Sequence, residues 1–532
     1  MRYLRKGPFL LVITLGLALI AWGQGTGSQA GRGGRGGGAA DFYSYDATAA
    51  SGIPVPDAKP AETHQKILIN GEILAYTAQA GFLPLRNATT GQSEAHLFFT
   101  SYAKDGVSDA STRPVLFFLG GAPGVATGWQ EFGGLGPKRM KGIGDGAALL
   151  PPYGWTDNPY TLLGQADLVF VNPVGTAFSR PDQPGWGPNF WNTASDIASL
   201  AEFVRSFLTA YDRRNSPVFL AGEDLATGRV AGLAGYLQDH QLPVHGIVLL
   251  SMTPAADALA GDEQYITLLP NLILAAWYHK KLAPELTALS ADEIAEQARQ
   301  FASREYLHAL YKGDRMTPEE RAKVVAGLSR LTGLSKAFLA SNNLRVALDR
   351  FNAEILRGQH RTLSNSDARV TGFVPGTSGA RGGFGGFGGG GAAPAIDYNQ
   401  SYIAGGFLTA YEAYLRRELA FTNSNGVFYL LGGGVGTFTS TGNDDASLAG
   451  AFVRNPRLRL FVGVNFFDLN APFYATEFAL AHLNVSSDVR ANNIKVSHFE
   501  AGQMAYLDSK SLAKLQADLA RFINEAVSSA RQ

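Results

Sequence analysis

Residues 217–229 read Pro-Val-Phe-Leu-Ala-Gly-Glu-Asp-Leu-Ala-Thr-Gly-Arg. The apolar start of this stretch predicts a buried strand, and the residues after Asp224 predict a helix. Gly222 and Ala226 lie two positions to either side of Asp224. A sharp strand-to-helix turn brings the backbone close to its neighbours, so it needs small residues at these positions. The stretch therefore predicts a strand, a tight turn that carries Asp224, and a helix.

Short apolar runs of strand type recur on both sides of this turn. They cover residues 115–118, 168–172, 217–221, 247–250, 458–462 and 494–498. Helical patterns separate some of them, because apolar residues such as Ile197, Leu200 and Val204 recur at three- and four-residue spacing. Strands that alternate with helices favour an α/β fold with a mostly parallel sheet and helices on both of its faces.

Residues 261–420 interrupt the strand series with helical patterns and contain a glycine-rich stretch at 379–395. An insertion of this kind indicates a helical cap over the sheet, and we expect the glycine-rich stretch to form a long loop. Residues 51–260 and 421–532 are then the two parts of one α/β domain.

The N-terminus carries an export pattern. Residues 1–23 show a basic start, an apolar run and a small-residue exit at Ala21-Trp22-Gly23, which is typical of a signal peptide. Residues 24–50 contain the tract GRGGRGGG and are predicted to be a linker. We expect an exported protein, periplasmic or extracellular, with no stable membrane anchor after cleavage.

Composition removes several classes of function. Lys and Arg number 45 and Asp and Glu also number 45, so the chain lacks the basic excess of a dedicated nucleic-acid binder. There is no cysteine, which excludes disulfides, thiolate metal sites and a cysteine nucleophile. No His/Glu spacing resembles a zinc site, and no phosphate-loop lysine motif is found. We expect no metal and no cofactor; the oligomeric state is left open.

Several ordered motifs resemble the serine carboxypeptidase family of α/β-hydrolases, in the branch of exported bacterial members. Residues 117–124, Phe-Phe-Leu-Gly-Gly-Ala-Pro-Gly, are similar to its Asn-Gly-Gly-Pro-Gly loop, and Leu-Gly-Pro follows at 135–137. Residues 155–180 resemble the next stretch of the family. Residues 465–468 and 500–504 fall where the family carries its catalytic aspartate and histidine. The resemblance runs from about residue 64 to 523 and implies the α/β-hydrolase fold.

The same resemblance assigns positions within a catalytic triad. Asp224 stands at the position of the nucleophilic serine, Gln503 at that of the histidine, and Asp468 at that of the acid. Serine attacks the peptide carbonyl while histidine moves the proton, and neither substitute can take that role. The resemblance therefore implies a degenerate triad in which Asp468 alone matches.

Binding positions follow from the resemblance too. The asparagine of the family's oxyanion loop aligns with Leu119 or Gly120, and the backbone N–H groups of Gly121 and Leu225 would be the oxyanion donors. Glu223 matches the glutamate before the serine, which in the family belongs to a hydrogen-bonding group near the substrate carboxyl terminus. Its role here is either packing or recognition of a peptide carboxylate.

Three classes of function remain open. The first is an exported, catalytically impaired carboxypeptidase homologue that binds a peptide or another small ligand at the position of the family's active site. The second is an active hydrolase, either a serine-type carboxypeptidase or one that uses Asp224 as a nucleophile. The third is a structural or interaction protein. The sequence favours the first class, because Gln503 offers no base for either kind of hydrolysis.

Overall fold

A mixed sheet of ten strands lies at the centre of the protein, with the strand order β1-β2-β3-β7-β4-β9-β10-β13-β14 and with β8 paired to β3. The computed structural model describes residues 58–69, 71–121, 124–144, 148–183, 185–254, 259–374, 397–423, 426–431, 438 and 444–530. The predicted signal peptide at 1–23, the linker at 24–50 and the glycine-rich loop at 379–395 lie outside these residues.

The strands, including two short separate pairs, have the following bounds: β1 Ala61–Ile69, β2 Glu72–Arg86, β3 Ser93–Lys104, β4 Val115–Leu119, β5 Lys138–Met140, β6 Trp155–Asp157, β7 Asp167–Val171, β8 Arg180–Pro181, β9 Val218–Glu223, β10 Gly246–Leu250, β11 Arg361–Leu363, β12 Thr371–Phe373, β13 Arg459–Asn465 and β14 Ile494–Phe499. Pairing is antiparallel from β1 to β7 and parallel from β7 to β14. The predicted strands are confirmed, with ends shifted by a few residues, as β4, β7, β9, β10, β13 and β14.

The helices have the following bounds: α1 Gly128–Gln130, α2 Thr193–Ala210, α3 Ala226–Asp239, α4 Glu263–Tyr278, α5 Ala291–Phe301, α6 Leu307–Lys312, α7 Pro318–Thr332, α8 Lys336–Ser341, α9 Leu348–Ile355, α10 Tyr398–Arg417, α11 Asp444–Arg454, α12 Phe473–His482, α13 Ser487–Asn493 and α14 Ser509–Ala530. Within the described ranges, no helix has the length and apolar character needed to cross a membrane.

Both faces of the sheet are covered, because the central strands are apolar on both sides. In β4, Phe117 and Leu119 pack into one hydrophobic core, while Leu116 and Phe118 pack into a second one on the other face. This alternation follows from the two-residue period of a strand. The fold is therefore an α/β sandwich of one sheet between two layers.

The helical region between β10 and β13 interrupts the series of sheet strands along the sequence, but the sheet itself is continuous. Strands β10 and β13 pair in parallel, with Ile247 opposite Leu460. Helices α4 to α11 and the pair β11–β12 lie between these two strands in the sequence. The pair β11–β12 is an addition to the predicted helical region. The carboxyl ends of β9, β10, β13 and β14 share one edge of the sheet, where open α/β sheets usually bind ligands.

Candidate functional site

The turn between β9 and α3 holds Asp224 in the left-handed region, with φ +55°. Its N–H donates to the carbonyl oxygen of Leu250 at the end of β10, at 3.0 Å. A Cβ added to Gly222 would lie 2.6 Å from the Val230 side chain and 2.8 Å from the Ala226 carbonyl oxygen. A non-glycine residue with positive φ is uncommon and costs energy. The predicted tight turn, with its need for small residues, is thus present at Asp224.

The Asp224 carboxyl group is engaged by hydrogen-bond donors of its own chain. Thr253 Oγ1 donates to Asp224 Oδ1 at 3.1 Å. Burial raises the pKa of Asp224, whereas hydrogen bonds from Thr253, from the Gln503 side chain and from the Leu225 backbone N–H oppose that rise. The carboxyl group therefore lies where Leu225, at the start of α3, would otherwise offer its N–H to a ligand.

Asp468 follows the end of β13 and is fully buried. Its Oδ1 accepts the backbone N–H groups of Asn470 at 2.9 Å and Ala471 at 3.1 Å. Burial raises the pKa of Asp468 well above its usual range, and the neighbouring charge of Asp224 raises it further. Two carboxyl groups that share a low-dielectric site disfavour simultaneous ionisation.

Gln503 follows β14 and is held mainly through its backbone. Its N–H donates to the Ser366 carbonyl oxygen at 2.6 Å. Its carbonyl oxygen accepts from Ser251 Oγ at 2.7 Å and from Asn465 Nδ2 at 3.1 Å. A Cβ on the preceding Gly502 would come within 2.4 Å of the Asp367 side chain. These contacts leave the Gln503 side chain beside Asp224 and place its Oε1 in a buried position without a donor from the described residues.

The structure thus brings the three sequence-predicted positions Asp224, Asp468 and Gln503 together. Gln503 reaches the Asp224 carboxyl group, and Asp224 influences the titration of Asp468. Ser251, after β10, connects the end of β13 with the segment after β14. Its hydroxyl group donates to the Gln503 carbonyl oxygen and accepts from the Asn465 side chain at 2.6 Å. Four strand ends therefore supply one cluster.

All nine histidines lie in described segments, and no hydrogen bond joins any of them to Asp224, Asp468 or Gln503. His498 lies on the edge strand β14 and pairs with Glu477 at 2.5 Å. His482 ends α12. His279 Nε2 lies 2.7 Å from the Ala368 carbonyl oxygen. The histidine position of the triad therefore has no substitute base from a neighbouring histidine.

The glycine loop after β4 departs from the expected oxyanion geometry. Gly120 has φ +27°, and a Cβ there would meet the Val125 carbonyl oxygen at 2.7 Å. The N–H of Gly121, expected to be an oxyanion donor, instead donates to that same Val125 oxygen at 3.3 Å. The intervening Ala122 and Pro123 lie outside the described residues. The N–H of Gly121 is therefore already hydrogen-bonded within its own loop, because the chain turns back and brings Val125 beside Gly121.

Glu223 is the last residue of β9, on the same face of the strand as Phe219 and Ala221, as alternation along β9 requires. It is buried, and its Oε2 accepts from the Tyr506 hydroxyl at 2.7 Å and from Gln130 Nε2 at 3.4 Å. Burial raises the pKa of Glu223 to about 8, and the charge of Asp224 contributes to the rise. These contacts match the packing interpretation of Glu223 and do not by themselves indicate recognition of a ligand.

Sequence reasoning missed another buried carboxyl group, Glu131, in the segment after the glycine loop that follows β4. Glu131 accepts hydrogen bonds from Tyr102 at 2.5 Å, from Tyr411 at 2.6 Å and from Thr100 at 2.7 Å. Burial raises the pKa of Glu131 to about 7 against the effect of these donors. No sequence signal pointed to it, because its partners come from β3 and α10.

Thr253 and Ser251 were missed as well, although a signal for them existed. Both follow β10, whose predicted strand ended at Leu250, and the carboxyl ends of neighbouring parallel strands share one edge. Hydroxyl groups just beyond such a strand lie beside the turn of β9. Spacing from the predicted strand end was therefore sufficient to nominate Thr253.

The cluster has acids and amides but no neutral nucleophile next to a base. Among the described residues, no three side chains of His, Cys, Asp or Glu gather in a way that could hold a metal ion. What the arrangement offers chemically is a carboxyl group at a helix start, a hydroxyl group at Thr253 and an amide at Gln503. Such groups form hydrogen bonds with a ligand, whereas acyl transfer needs a nucleophile and a base within reach of each other.

The sheet order, the covering helices and the tight turn at Asp224 define an α/β-hydrolase fold. A solved structure agrees: Kex1(delta)P, a prohormone-processing carboxypeptidase from Saccharomyces cerevisiae, superposes with a TM-score of 0.53 at 14% identity, over 84% of this chain and 91% of that chain. At this level of identity the similarity establishes the fold alone.

The sequence model of the serine carboxypeptidase family matches residues 70–298. The chain is also 24% identical over 156 residues to carboxypeptidase Y homolog A from Talaromyces stipitatus, a match that spans 28% of this chain and 25% of that relative's length. Over residues 70–298, which include the loop at Gly120 and the turn at Asp224, the chain is thus similar to serine carboxypeptidases. Asp468 and Gln503 lie beyond the matched segment.

Proposed function

We propose that this protein is an exported, serine carboxypeptidase-like binder of a peptide or another small ligand, without peptidase activity. The observation that carries the proposal is the state of the turn at Asp224. Its carboxyl group accepts a hydrogen bond from Thr253 and lies against the Leu225 N–H. A working acyl-transfer site needs that N–H for the oxyanion of the tetrahedral intermediate.

The proton chemistry of the triad is absent as well. Gln503 stands at the histidine position, and an amide neither accepts a proton from a nucleophile nor returns one to a leaving amine near neutral pH. Loss of the serine or of the histidine in such a triad costs on the order of a millionfold in turnover, and loss of both costs little more. The cluster therefore retains hydrogen-bonding groups and lacks the groups needed for peptide cleavage.

A ligand bound at the Asp224 cluster would meet an apolar side chain next to the carboxyl group. The Leu225 side chain is 54% exposed although it stands at the start of α3, beside the turn. An exposed leucine beside a few polar groups is the kind of surface that binding clefts offer to peptides or apolar ligands. The export pattern of residues 1–23 supports a location of such a binder outside the cytoplasm.

The test uses the purified full chain after any natural processing. Release of the C-terminal residue from N-blocked dipeptides is followed by mass spectrometry between pH 4 and 8, beside an active serine carboxypeptidase as positive control. We expect no release, together with an increase in Tm with at least one peptide of the same panel that is absent in Leu225→Asp. Release of residues that Asp224→Ala abolishes would contradict the proposal and make Asp224 a working catalytic group.

A further inference from the structure

A polar cavity lies beside the segment after β14, outside the Asp224 cluster. Its volume is about 430 Å³, in the lower part of the range of small-molecule sites, roughly 300–1,000 Å³. Gly502 and Met504, on either side of Gln503, line the cavity, whereas Asp224, Asp468 and Gln503 do not. The cavity is therefore a neighbour of the cluster with a lining of its own.

The cavity has a packed apolar base. It lies between the pair β11–β12 with its connecting loop, the first turns of α10 and residues 502–508 before α14. Ile143, Ile403, Met504 and Leu507 line it, and all four are buried members of one hydrophobic core. Close packing of these residues holds the shape of the cavity.

One side of the cavity carries an excess of negative charge. Arg369, in the loop between β11 and β12, pairs with Asp367 at 2.7 Å and with Asp508 at 3.2 Å. Two carboxylates thus share one guanidinium group. The oxygens of Asp508 accept one hydrogen bond each, from Arg369 and from the Ser511 N–H. A carboxylate oxygen can accept a second hydrogen bond, so Asp508 can also bind a donor of a ligand.

The opposite charge lies on the side of β11. The exposed Arg361 donates from Nε to Thr371 Oγ1 at 2.6 Å and from Nη2 to the Thr371 carbonyl oxygen at 2.7 Å, which holds its guanidinium group at the β11–β12 pair. No carboxylate lies within 4.0 Å of Arg361 in the described segments. Its Nη1 is therefore able to donate to an anionic group of a ligand.

Charged groups behind the lining do not cancel this arrangement. His279 lies 2.7 Å from the Ala368 carbonyl oxygen, and burial lowers the pKa of His279, so its ring is uncharged near neutral pH. Lys281 adds a positive charge near His279 and does not line the cavity. Glu500, also outside the lining, pairs with Lys510 at 3.5 Å. The lining itself has one positive and one negative charge in excess, at different sides.

The uncharged lining residues suit a peptide. Asn399 is only 9% exposed, and its Nδ2 donates to Ser366 Oγ at 3.4 Å, while its amide oxygen has no donor from the described residues. Tyr278, at the end of α4, is 43% exposed, and Tyr402 on α10 is partly buried. An amide oxygen accepts an N–H group of a ligand, and the two rings offer contacts to an aromatic side chain.

We infer that this cavity binds a short peptide with both ends free, which places its ammonium group at Asp508 and its carboxylate at Arg361. A zwitterion matches a lining with one charge of each sign in excess, whereas a simple anion or cation satisfies only one of them. The inference is independent of the proposed function, because none of Asp224, Asp468 and Gln503 lines the cavity.

The test is isothermal titration calorimetry of the full chain with the dipeptide Gly-Tyr, with its N-acetyl derivative and with its C-terminal amide. Each titration uses the wild type and Leu225→Asp, so that binding at the Asp224 cluster is recognised by its loss in the variant. Gly-Tyr should bind both proteins at one equivalent and with equal affinity. In Leu225→Asp, either blocked form should bind about tenfold or more weakly than Gly-Tyr.

Two further variants, made in the Leu225→Asp chain, assign the ends of the dipeptide. Arg361→Gln should weaken Gly-Tyr binding about tenfold and leave binding of the amide unchanged, because the amide has no carboxylate to lose. Asp508→Asn keeps a side chain that can cap α14, and it should weaken Gly-Tyr about tenfold while binding of the N-acetyl form stays the same.

Matched controls separate the cavity from the general surface. Arg350→Gln and Asp349→Asn change exposed residues of α9 outside the cavity and should bind all three compounds as their parent does. The inference is overturned if Gly-Tyr shows no saturable binding to Leu225→Asp, if blocking its ends costs no affinity, or if both Arg361→Gln and Asp508→Asn keep the affinity of their parent. Should one of these two variants fail to fold by circular dichroism, the other decides.

Discussion

Thr253 Oγ1 donates a hydrogen bond of 3.1 Å to the carboxyl group of Asp224, so a residue after β10 satisfies the carboxyl group at the turn after β9. The two residues lie 29 positions apart in the chain. The carboxyl group at the triad's nucleophile position is therefore part of a local hydrogen-bond network, and its removal should affect stability before it affects any chemistry.

Thr253→Val should destabilise the protein, because it keeps the shape of the side chain and removes one of the hydrogen-bond donors of a largely buried carboxyl group. We expect a decrease of about 0.5–2 kcal/mol in the free energy of unfolding at pH 7. Thr253→Ser retains the hydroxyl group and should lose less. Urea unfolding followed by circular dichroism measures both variants. Equal stability of Thr253→Val and the wild type would mean that this hydrogen bond contributes nothing.

The triad should recover activity only when two positions change together. Asp224→Ser alone and Gln503→His alone should show no turnover on blocked dipeptides, since each leaves the other function missing. The double variant should show measurable turnover, because Asp468 already lies beside the cluster. The matched control adds Asp468→Asn to the double variant and should lower kcat by on the order of 10⁴. A double variant as inactive as the single ones would show that the engaged Gly121 loop is also limiting.

Glu223→Gln should change how stability depends on pH. The pKa of Glu223 is raised to about 8 in the folded protein, above its ordinary value of 4.5. An acid with a raised folded pKa contributes stability that is fully present below the unfolded pKa and is lost as the pH rises through the folded pKa. The wild type should therefore lose stability between about pH 4.5 and 8 through this group.

In the variant this loss is absent. The stability of Glu223→Gln relative to the wild type should rise between pH 5 and pH 9 by roughly 3–5 kcal/mol. Urea unfolding at pH 5, 7 and 9 measures the difference, and Glu354→Gln, which changes a partly exposed carboxyl group of α9, is the control. A parallel pH dependence of Glu223→Gln and the wild type would argue against the raised pKa.

Gly222→Ala should destabilise the turn, because its Cβ would come within 2.6 Å of Val230 and 2.8 Å of a backbone oxygen. Overpacking of this kind costs about 1–3 kcal/mol. Gly164→Ala is the matched control, since a Cβ at Gly164 meets nothing within 4 Å. Thermal unfolding should give a lower Tm for Gly222→Ala only. A similar Tm for both variants would contradict the tight approach of β9 and α3.

Export should remove the N-terminal segment. The order of basic, apolar and small residues in 1–23 predicts cleavage near Gly23, so the mature protein should lack the first 23 residues or so. Intact-mass spectrometry of the chain recovered from the periplasm or the medium measures this. An Asp in place of Leu15 should retain the precursor in the cytoplasm. Recovery of the uncleaved wild type in the cytoplasm would refute export.

The fold could be predicted largely from the sequence. Six apolar runs became β4, β7, β9, β10, β13 and β14, since a buried strand needs contiguous apolar residues and a local pattern records that need. The ends of the strands were less accurate, because hydrogen-bond partners on neighbouring strands determine where pairing stops. The antiparallel strands β1 to β3 and the pair β11–β12 were not among the predicted strands; β11 and β12 have three residues each, which is too short to form a pattern.

The residues of the candidate site were predicted more completely than their surroundings. Asp224, Asp468 and Gln503 could be nominated from ordered motifs, and the structure gathers them. The donor at Thr253, the bridge at Ser251 and the buried Glu131 were not nominated. The engagement of the Gly121 N–H by Val125 was not foreseen either, since it depends on the closure of a loop.

The sequence by itself determined the strand-turn-helix unit at Asp224, the alternation of strands and helices, and the chemical types at the three triad positions. Contiguous residues determine each of these features, because backbone conformation and side-chain periodicity are local properties. The tertiary structure alone decided which groups surround Asp224. Thr253, Gln503 and Asp468 come from different strand ends, and only the packing of parallel strands at one edge brings such distant residues into contact and buries their carboxyl groups.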